Sequence, residues 1–186
     1  MGHFIGGHPA LDLVNTVYDR HDPPVDNELL KTGQELAAWL RSQKLVRDEQ
    51  AADVASLDPE PLRTVWLVRD AAFNVFDAVA GGRSPDSKAV GGLLSTAGVG
   101  FASRALAWEA MPARVALAPD FGAHDVPALL AALALDALYR LPPARLRACP
   151  RCGWLFTDTS KGNQRRWCSM NLCGNREKVA RHRQRA

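Results

Sequence analysis

The sequence predicts a mainly helical α+β chain: a helical N-terminal body carrying one small β-hairpin, followed by a short C-terminal module built on four cysteines. Three observations carry this expectation. Apolar residues recur at helical spacing through most of residues 1–143. Two short alternating stretches flank Met111-Pro112, as the strands of a hairpin do. All four cysteines, Cys149, Cys152, Cys168 and Cys173, fall in the last quarter, just beyond Pro142-Pro143, which sets the boundary between a body of residues 1–143 and a module of residues 144–186. With 186 residues and 47% apolar content, the chain is long enough for one packed domain plus a small appendage, and disorder of the whole is excluded.

In the body, Thr32 and Glu35 stand three apart before Leu-Ala-Ala-Trp-Leu, the pattern of a capping box, and Leu36, Trp39 and Leu40 share the apolar face that follows. Residues 48–57 read as a second helix. Asp58-Pro59-Glu60-Pro61 then opens a long third helix that runs to Ala80 and stops at Gly81-Gly82. Residues 86–97 form a weaker helix containing Gly91-Gly92, and residues 101–108 and 114–118 form the hairpin. Val126, Leu129, Leu130, Leu133, Ala137 and Leu138 mark a last body helix over residues 125–139.

The long helix contains one misfit. Leu62, Val65, Trp66, Ala72, Phe73, Phe76 and Ala80 make an apolar face with Arg69 in its middle. A buried guanidinium needs a partner, since leaving it unpaired costs several kcal/mol. Asp12 is the candidate, because Asp12, Asn15 and Thr16 share a polar stripe if the N-terminal Leu-Asp-Leu-Val-Asn-Thr is helical. The group is either a structural ion pair or the wall of a ligand pocket.

The segment Cys149 to Cys173 has the form C-x2-C-x15-C-x4-C. Each close pair can present two thiolates from one turn, and the spacer is long enough to fold the second pair beside the first. Four soft thiolates suit one tetrahedral zinc ion with bonds near ~2.3 Å and leave no open coordination position, so the site is structural. Pro150 and Gly153 shape the first knuckle, residues 154–158 and 165–168 pair as short strands, and Ser160-Lys161-Gly162-Asn163 turns between them, making a zinc ribbon that ends in a basic helix. A module this short relies on the metal for much of its stability. Trp154, Phe156 and Trp167 are either its miniature core or platforms on which bases stack.

Charge divides the chain at the same place. Residues 1–143 hold 12 basic and 18 acidic residues, net −6, whereas residues 144–186 hold 11 basic residues against Asp158 and Glu177, net +9. Zinc on four thiolates lowers the latter to about +7. Such a module predicts contact with a polyanion. Lys161, Arg165 and Arg166, with Lys178, Arg181, His182 and Arg185 in one sector of the final helix, are the candidate nucleic-acid contacts. Arg176, three residues beyond a zinc ligand and on the side of Val179 and Ala180, is placed to brace the metal site.

Cys168-Ser-Met-Asn-Leu-Cys-Gly-Asn-Arg176, followed by Lys178 and further arginines, resembles the CGNR zinc finger, named for Cys173-Gly174-Asn175-Arg176. His-Pro-Ala-Leu-Asp-Leu-Val-Asn-Thr (8–16), the Leu36–Leu40 segment and Arg-Asp-Ala-Ala-Phe-Asn-Val-Phe (69–76) resemble the ABATE-type domain that precedes this finger in stress-induced transcription regulators. The resemblance implies a bacterial cytoplasmic regulator with a nucleic-acid-binding finger and a body that senses something, and it assigns the four cysteines to the metal and Gly174, Asn175 and Arg176 to the finger motif.

The expected function is therefore DNA binding by a transcription regulator, with a small-molecule effector and a homodimer through the body as possible partners. RNA binding, or docking of the basic helix on an acidic protein, are the alternatives that the residues leave open. No catalytic residue is predicted: a saturated zinc site, no nucleophile elbow, no phosphate-binding glycine loop and scattered histidines argue against an enzyme. No run of about eighteen apolar residues suggests a membrane span, and Met1 to Val17 lacks the basic region and cleavage site of a signal peptide.

Overall fold

The computed structural model describes residues 4–57, 59–110 and 113–183. Met111-Pro112 and Arg185 lie outside them, as does the side chain of Arg181.

The chain begins with a short helix, α1 (Pro9–Val14). Proline at its first position needs no amide partner, and the His8 imidazole accepts the Ala10 amide at 3.1 Å. Ala10, Leu11, Leu13 and Val14 are wholly buried, so this helix is an inner element despite its length. Next, α2 (Gly33–Ser42) starts at the capping box the sequence announces: Thr32 Oγ1 accepts the Glu35 amide at 3.2 Å while the Glu35 carboxylate accepts the Thr32 amide at 3.0 Å. Then α3 (Asp48–Ala55) folds back on it, and α4 (Pro59–Ala80) crosses the molecule.

The helix expected over 86–97 is longer, α5 (Ser87–Ala102). Asp86 caps it through the Lys88 amide, and Leu93, Ala97 and Gly100 form a small-residue seam against α6 (Val126–Arg140). Because α5 takes residues 101–102, the hairpin is shorter than expected: β1 (Leu106–Ala110) and β2 (Ala113–Leu117) pair antiparallel, Leu106 opposite Leu117. Helix α6 is buried along most of its first three turns, from Val126 to Ala134 and again at Ala137, as an all-round apolar helix must be.

Helices α4, α5 and α6 pack on one another, with α1 laid against α4 and α6. The C-terminal module adds β3 (Leu146–Ala148), β4 (Leu155–Thr157) and α7 (Asn175–Arg183). β3 and β4 form a second antiparallel pair, Leu146 opposite Thr157. Both touch α4, and Leu146 and Leu155, 1% and 0% exposed, belong to the body's hydrophobic core. The sequence boundary at Pro143 is thus crossed by a continuous core.

Arg69 is buried as expected, but its partner is not Asp12. Its Nη1 lies 2.7 Å from both carboxylate oxygens of Glu28, and its Nε 3.2 Å from Asp70. Glu28 is delivered by an isolated bridge to Val17 that spacing along the chain does not announce. Asp12 faces elsewhere, accepting the Gly6 amide at 2.9 Å and Gln43 Nε2 at 3.4 Å. Arg69→Leu is expected to cost about 2–4 kcal/mol in urea unfolding by stranding Glu28; adding Glu28→Gln, which keeps the carbonyl that accepts the Leu30 amide, is expected to restore most of it. Additive losses in the double variant would show that the pair is not coupled.

Candidate functional site

The four cysteine sulfurs form a cage. Cys149, Cys152, Cys168 and Cys173 are all buried, and their Sγ atoms lie within 4.8 Å of one another, Cys152 to Cys168 at 3.7 Å and Cys168 to Cys173 at 3.5 Å. A tetrahedral zinc with bonds near ~2.3 Å sets its ligand sulfurs about 3.8 Å apart, whereas a disulfide brings them to about 2.05 Å. The thiols are free, and the donor set fits one structural zinc ion. Thiols this close do not titrate independently: hydrogen bonding with Cys152 holds the Cys149 thiol far below its ordinary range, while hydrogen bonding with Cys149 pushes Cys152 and Cys168 up. A divalent cation replaces those shared protons.

The first two ligands come from the turn between β3 and β4. The Gly153 amide donates to the Cys149 carbonyl, and Gly153 takes φ +73°, with Arg20 Cβ only 2.9 Å from where its own Cβ would be. The second pair comes from a loop and a single π-helical turn, Met170–Gly174. A Cβ on Gly174 would meet Met170 Sδ at 2.7 Å and the Trp167 ring at 3.3 Å, the first of which the exposed methionine can relieve by moving.

The second strand expected over 165–168 does not form. The Asp158 carboxylate accepts the amides of Ser160 at 2.8 Å and Arg165 at 2.7 Å, the second a group that the ladder would have used. The strand pairing with β4 is instead β3, which precedes the first cysteine. Trp154 and Phe156 are buried with the cysteines, and Trp167 packs on them half-exposed, so these aromatics form the module's miniature core.

Body and module are joined by main-chain hydrogen bonds at long sequence separation. The Asn15 side-chain amide donates to the Leu155 carbonyl and accepts the Leu155 amide, both at 2.8 Å, acting as a two-bond partner for an edge strand. Trp154 Nε1 donates to the Val17 carbonyl at 2.6 Å, the Arg20 amide to the Cys152 carbonyl at 2.9 Å, and the Thr157 amide to the Gly6 carbonyl at 2.8 Å. Arg20 itself is largely buried, its guanidinium 3.6 Å over the Phe73 ring and donating to the Val14 carbonyl, and burial lowers its pKa to about 10. None of these contacts carries a local signature in the sequence.

The basic residues separate into two kinds. Lys161, Arg166, Lys178 and His182 are exposed. Arg165 is half-buried, 4.3 Å over the Phe156 ring, and donates to the carbonyls of Ile5, Trp167 and Cys168. Its Nε and Nη2 hold the second cysteine loop, the bracing expected of Arg176. Arg176 is exposed and forms no hydrogen bond among the described residues. Asn175 is exposed, donating to the Asn171 carbonyl at 3.5 Å. Beyond it, Lys178, Val179, Ala180, His182 and Arg183 are all exposed, so the later turns of α7 stand clear of the body.

Of the residues grouped with Arg69, Asp12, Asn15 and Thr16 line a different space, a cavity of about 640 Å³ between α1, α2 and the cysteine module. Burial pushes the Asp12 carboxyl up, against the Gly6 amide and Gln43 that favour its ionised form. Thr16 Oγ1 donates to the Leu13 carbonyl at 2.7 Å and sits 3.4 Å from Arg69 Nη1.

Comparison with known families gives two matches in the order the geometry has them. Residues 7–141 match the ABATE family, described as "Putative stress-induced transcription regulator", and residues 145–186 match the CGNR zinc finger. A search of curated proteins found no match. No described helix is long and apolar enough to cross a membrane. The ABATE match spans well over half of the chain, and the four-cysteine cage stands where the finger match requires a metal, so the chain belongs to the ABATE family and ends in a CGNR zinc finger.

Proposed function

We propose that this chain is a non-enzymatic cytoplasmic transcription regulator that binds DNA through its zinc finger. The observation that carries the reading is the placement of charge. A module of net +9, about +7 with zinc and its thiolates counted, presents Lys161, Arg166, Lys178 and His182 to solvent, and the later turns of α7 are unobstructed. Arg181 and Arg185 extend the same sector in sequence. Arg165 is not among the contacts, because its guanidinium is engaged internally.

The acidic body discourages polyanion contact elsewhere and fixes the finger's orientation through Asn15, Val17 and Arg20. A single finger spans few base pairs, so specificity calls for a homodimer through the body or a second protein. The stress-response role comes from the family description alone.

Competition on the zinc-loaded full chain tests the proposal. Fluorescence anisotropy with labelled duplex DNA should show displacement by unlabelled duplex, with structured RNA and an acidic peptide much weaker. Lys178→Glu with Arg166→Glu, two exposed sites whose change leaves the cage intact, should abolish binding. Preferential displacement by RNA or by the acidic peptide would assign the finger to that partner instead.

A further inference from the structure

The 640 Å³ cavity is built from both family motifs at once. Its lining includes the buried Asp12 and Thr16 of α1 and the following turn, the edges of the buried indoles Trp39 on α2 and Trp154 of the finger, the exposed rings of Phe4 and Tyr18, and Leu172 with the exposed Arg176. We propose that it is a binding site for a small aromatic monoanion, whose flat apolar body lies against the exposed rings of Phe4 and Tyr18 and whose carboxylate meets Arg176.

Size and lining favour this class. The volume falls in the range of small-molecule sites, and mostly apolar walls with a few converging polar groups are their usual form. The acid group of the ligand follows from which polar groups already have partners. The Glu35 carboxylate is engaged by the amides of Lys31 and Thr32, and Asp12 by Gly6 and Gln43. Arg176 is the rim's cation, and it has no hydrogen-bond or ion-pair partner among the described residues. Guanidinium–carboxylate pairing is bidentate and directional, so it selects an acid over its amide.

A second cavity, about 480 Å³ and lined by residues of the β1–β2 hairpin, α6 and the segment before α3, is lined by no residue of the finger, and its Arg114 is already paired with Glu109 at 2.7 Å. The position of Arg176 on the first turn of α7 gives the larger site a consequence. A ligand held there ties the body to the base of the helix that presents Lys178 and His182, so its occupancy biases how that helix is presented; this last step rests on the nucleic-acid reading above.

Isothermal titration of the zinc-loaded chain with benzoate, indole-3-acetate and 2-naphthoate, and with 2-naphthamide as the neutral counterpart, tests the site. Affinity should rise with ring area, and 2-naphthoate should bind one per chain. Arg176→Gln should weaken 2-naphthoate roughly 10- to 100-fold without affecting 2-naphthamide. Ala38→Trp, which places an indole in the cavity from an exposed position on α2, should abolish binding of both while leaving the zinc content and the anisotropy titration with DNA unchanged. No saturable heat, equal affinity for acid and amide, or binding that survives Ala38→Trp overturns the site. If 2-naphthoate binds as stated but the chain binds no DNA, the cavity stands and the nucleic-acid reading fails.

Discussion

Removing zinc is expected to unfold the helical body together with the finger, in a single transition. The cage closes a module too small to hold itself by apolar burial, and structural zinc contributes roughly 10–16 kcal/mol in isolated finger peptides, as much as the whole stability of an ordinary domain. What makes the loss general is the shared core: Leu146 and Leu155 flank the first cysteine pair on β3 and β4, yet both are buried among residues of the body. The expected result is a large fall in Tm on chelation, or in Cys168→Ser, with near-ultraviolet dichroism of the finger's Trp154 and Trp167 and far-ultraviolet dichroism of the helices lost together. Two separated transitions, the helical one unmoved by chelation, would show that the finger is merely tethered.

Asn15→Ala is expected to cost about 2–4 kcal/mol by breaking the joint between body and finger. The substitution removes two 2.8 Å hydrogen bonds and strands the amide and carbonyl of Leu155, a residue with 0% exposure, where water cannot replace them. Asn15→Asp should be worse: the carboxylate still accepts the Leu155 amide but faces the Leu155 carbonyl with no proton to donate, and carries a charge into a buried site. Urea unfolding gives the magnitude, and hydrogen exchange at Leu155 locates it. A change below about 0.5 kcal/mol, the scale of an ordinary surface substitution, would remove Asn15 as the joint between body and finger.

What was legible in the sequence is what is local. The capping box at Thr32 and Glu35, the helical faces of α4 and α6, and the cysteine spacing are each specified within a few residues to a few turns, and each stands where the pattern puts it. The misreadings involve partners that arrive from far along the chain or from irregular backbone. Arg69, in the middle of an apolar face, needs a partner, but that partner is Glu28 and not Asp12, and it comes from a stretch with no periodic signal. The strand expected at 165–168 is displaced by one side chain, Asp158, whose carboxylate takes the Arg165 amide that a ladder would have used. Arg165, and not Arg176, does the bracing for a related reason. Charge and spacing are the same for both, and only the fold determines that the Arg165 guanidinium turns inward over Phe156 while Arg176 remains at the mouth of a cavity. Asn15 looked like part of a polar stripe, and nothing within reach of it in sequence marks a partner 140 residues away.

The central claim, that the finger's exposed cations bind DNA, is tested most directly by the salt dependence of affinity. With Lys161, Arg166 and Lys178 exposed, Arg181 and Arg185 following in the same sector of the sequence, and Arg165 engaged internally, four or five phosphate contacts give a slope of log K against log salt between about −3 and −5. Lys178→Gln should reduce its magnitude by about 1, and Arg165→Gln should instead lower stability. A slope near zero, or one that Lys178→Gln leaves unchanged, would contradict the claim.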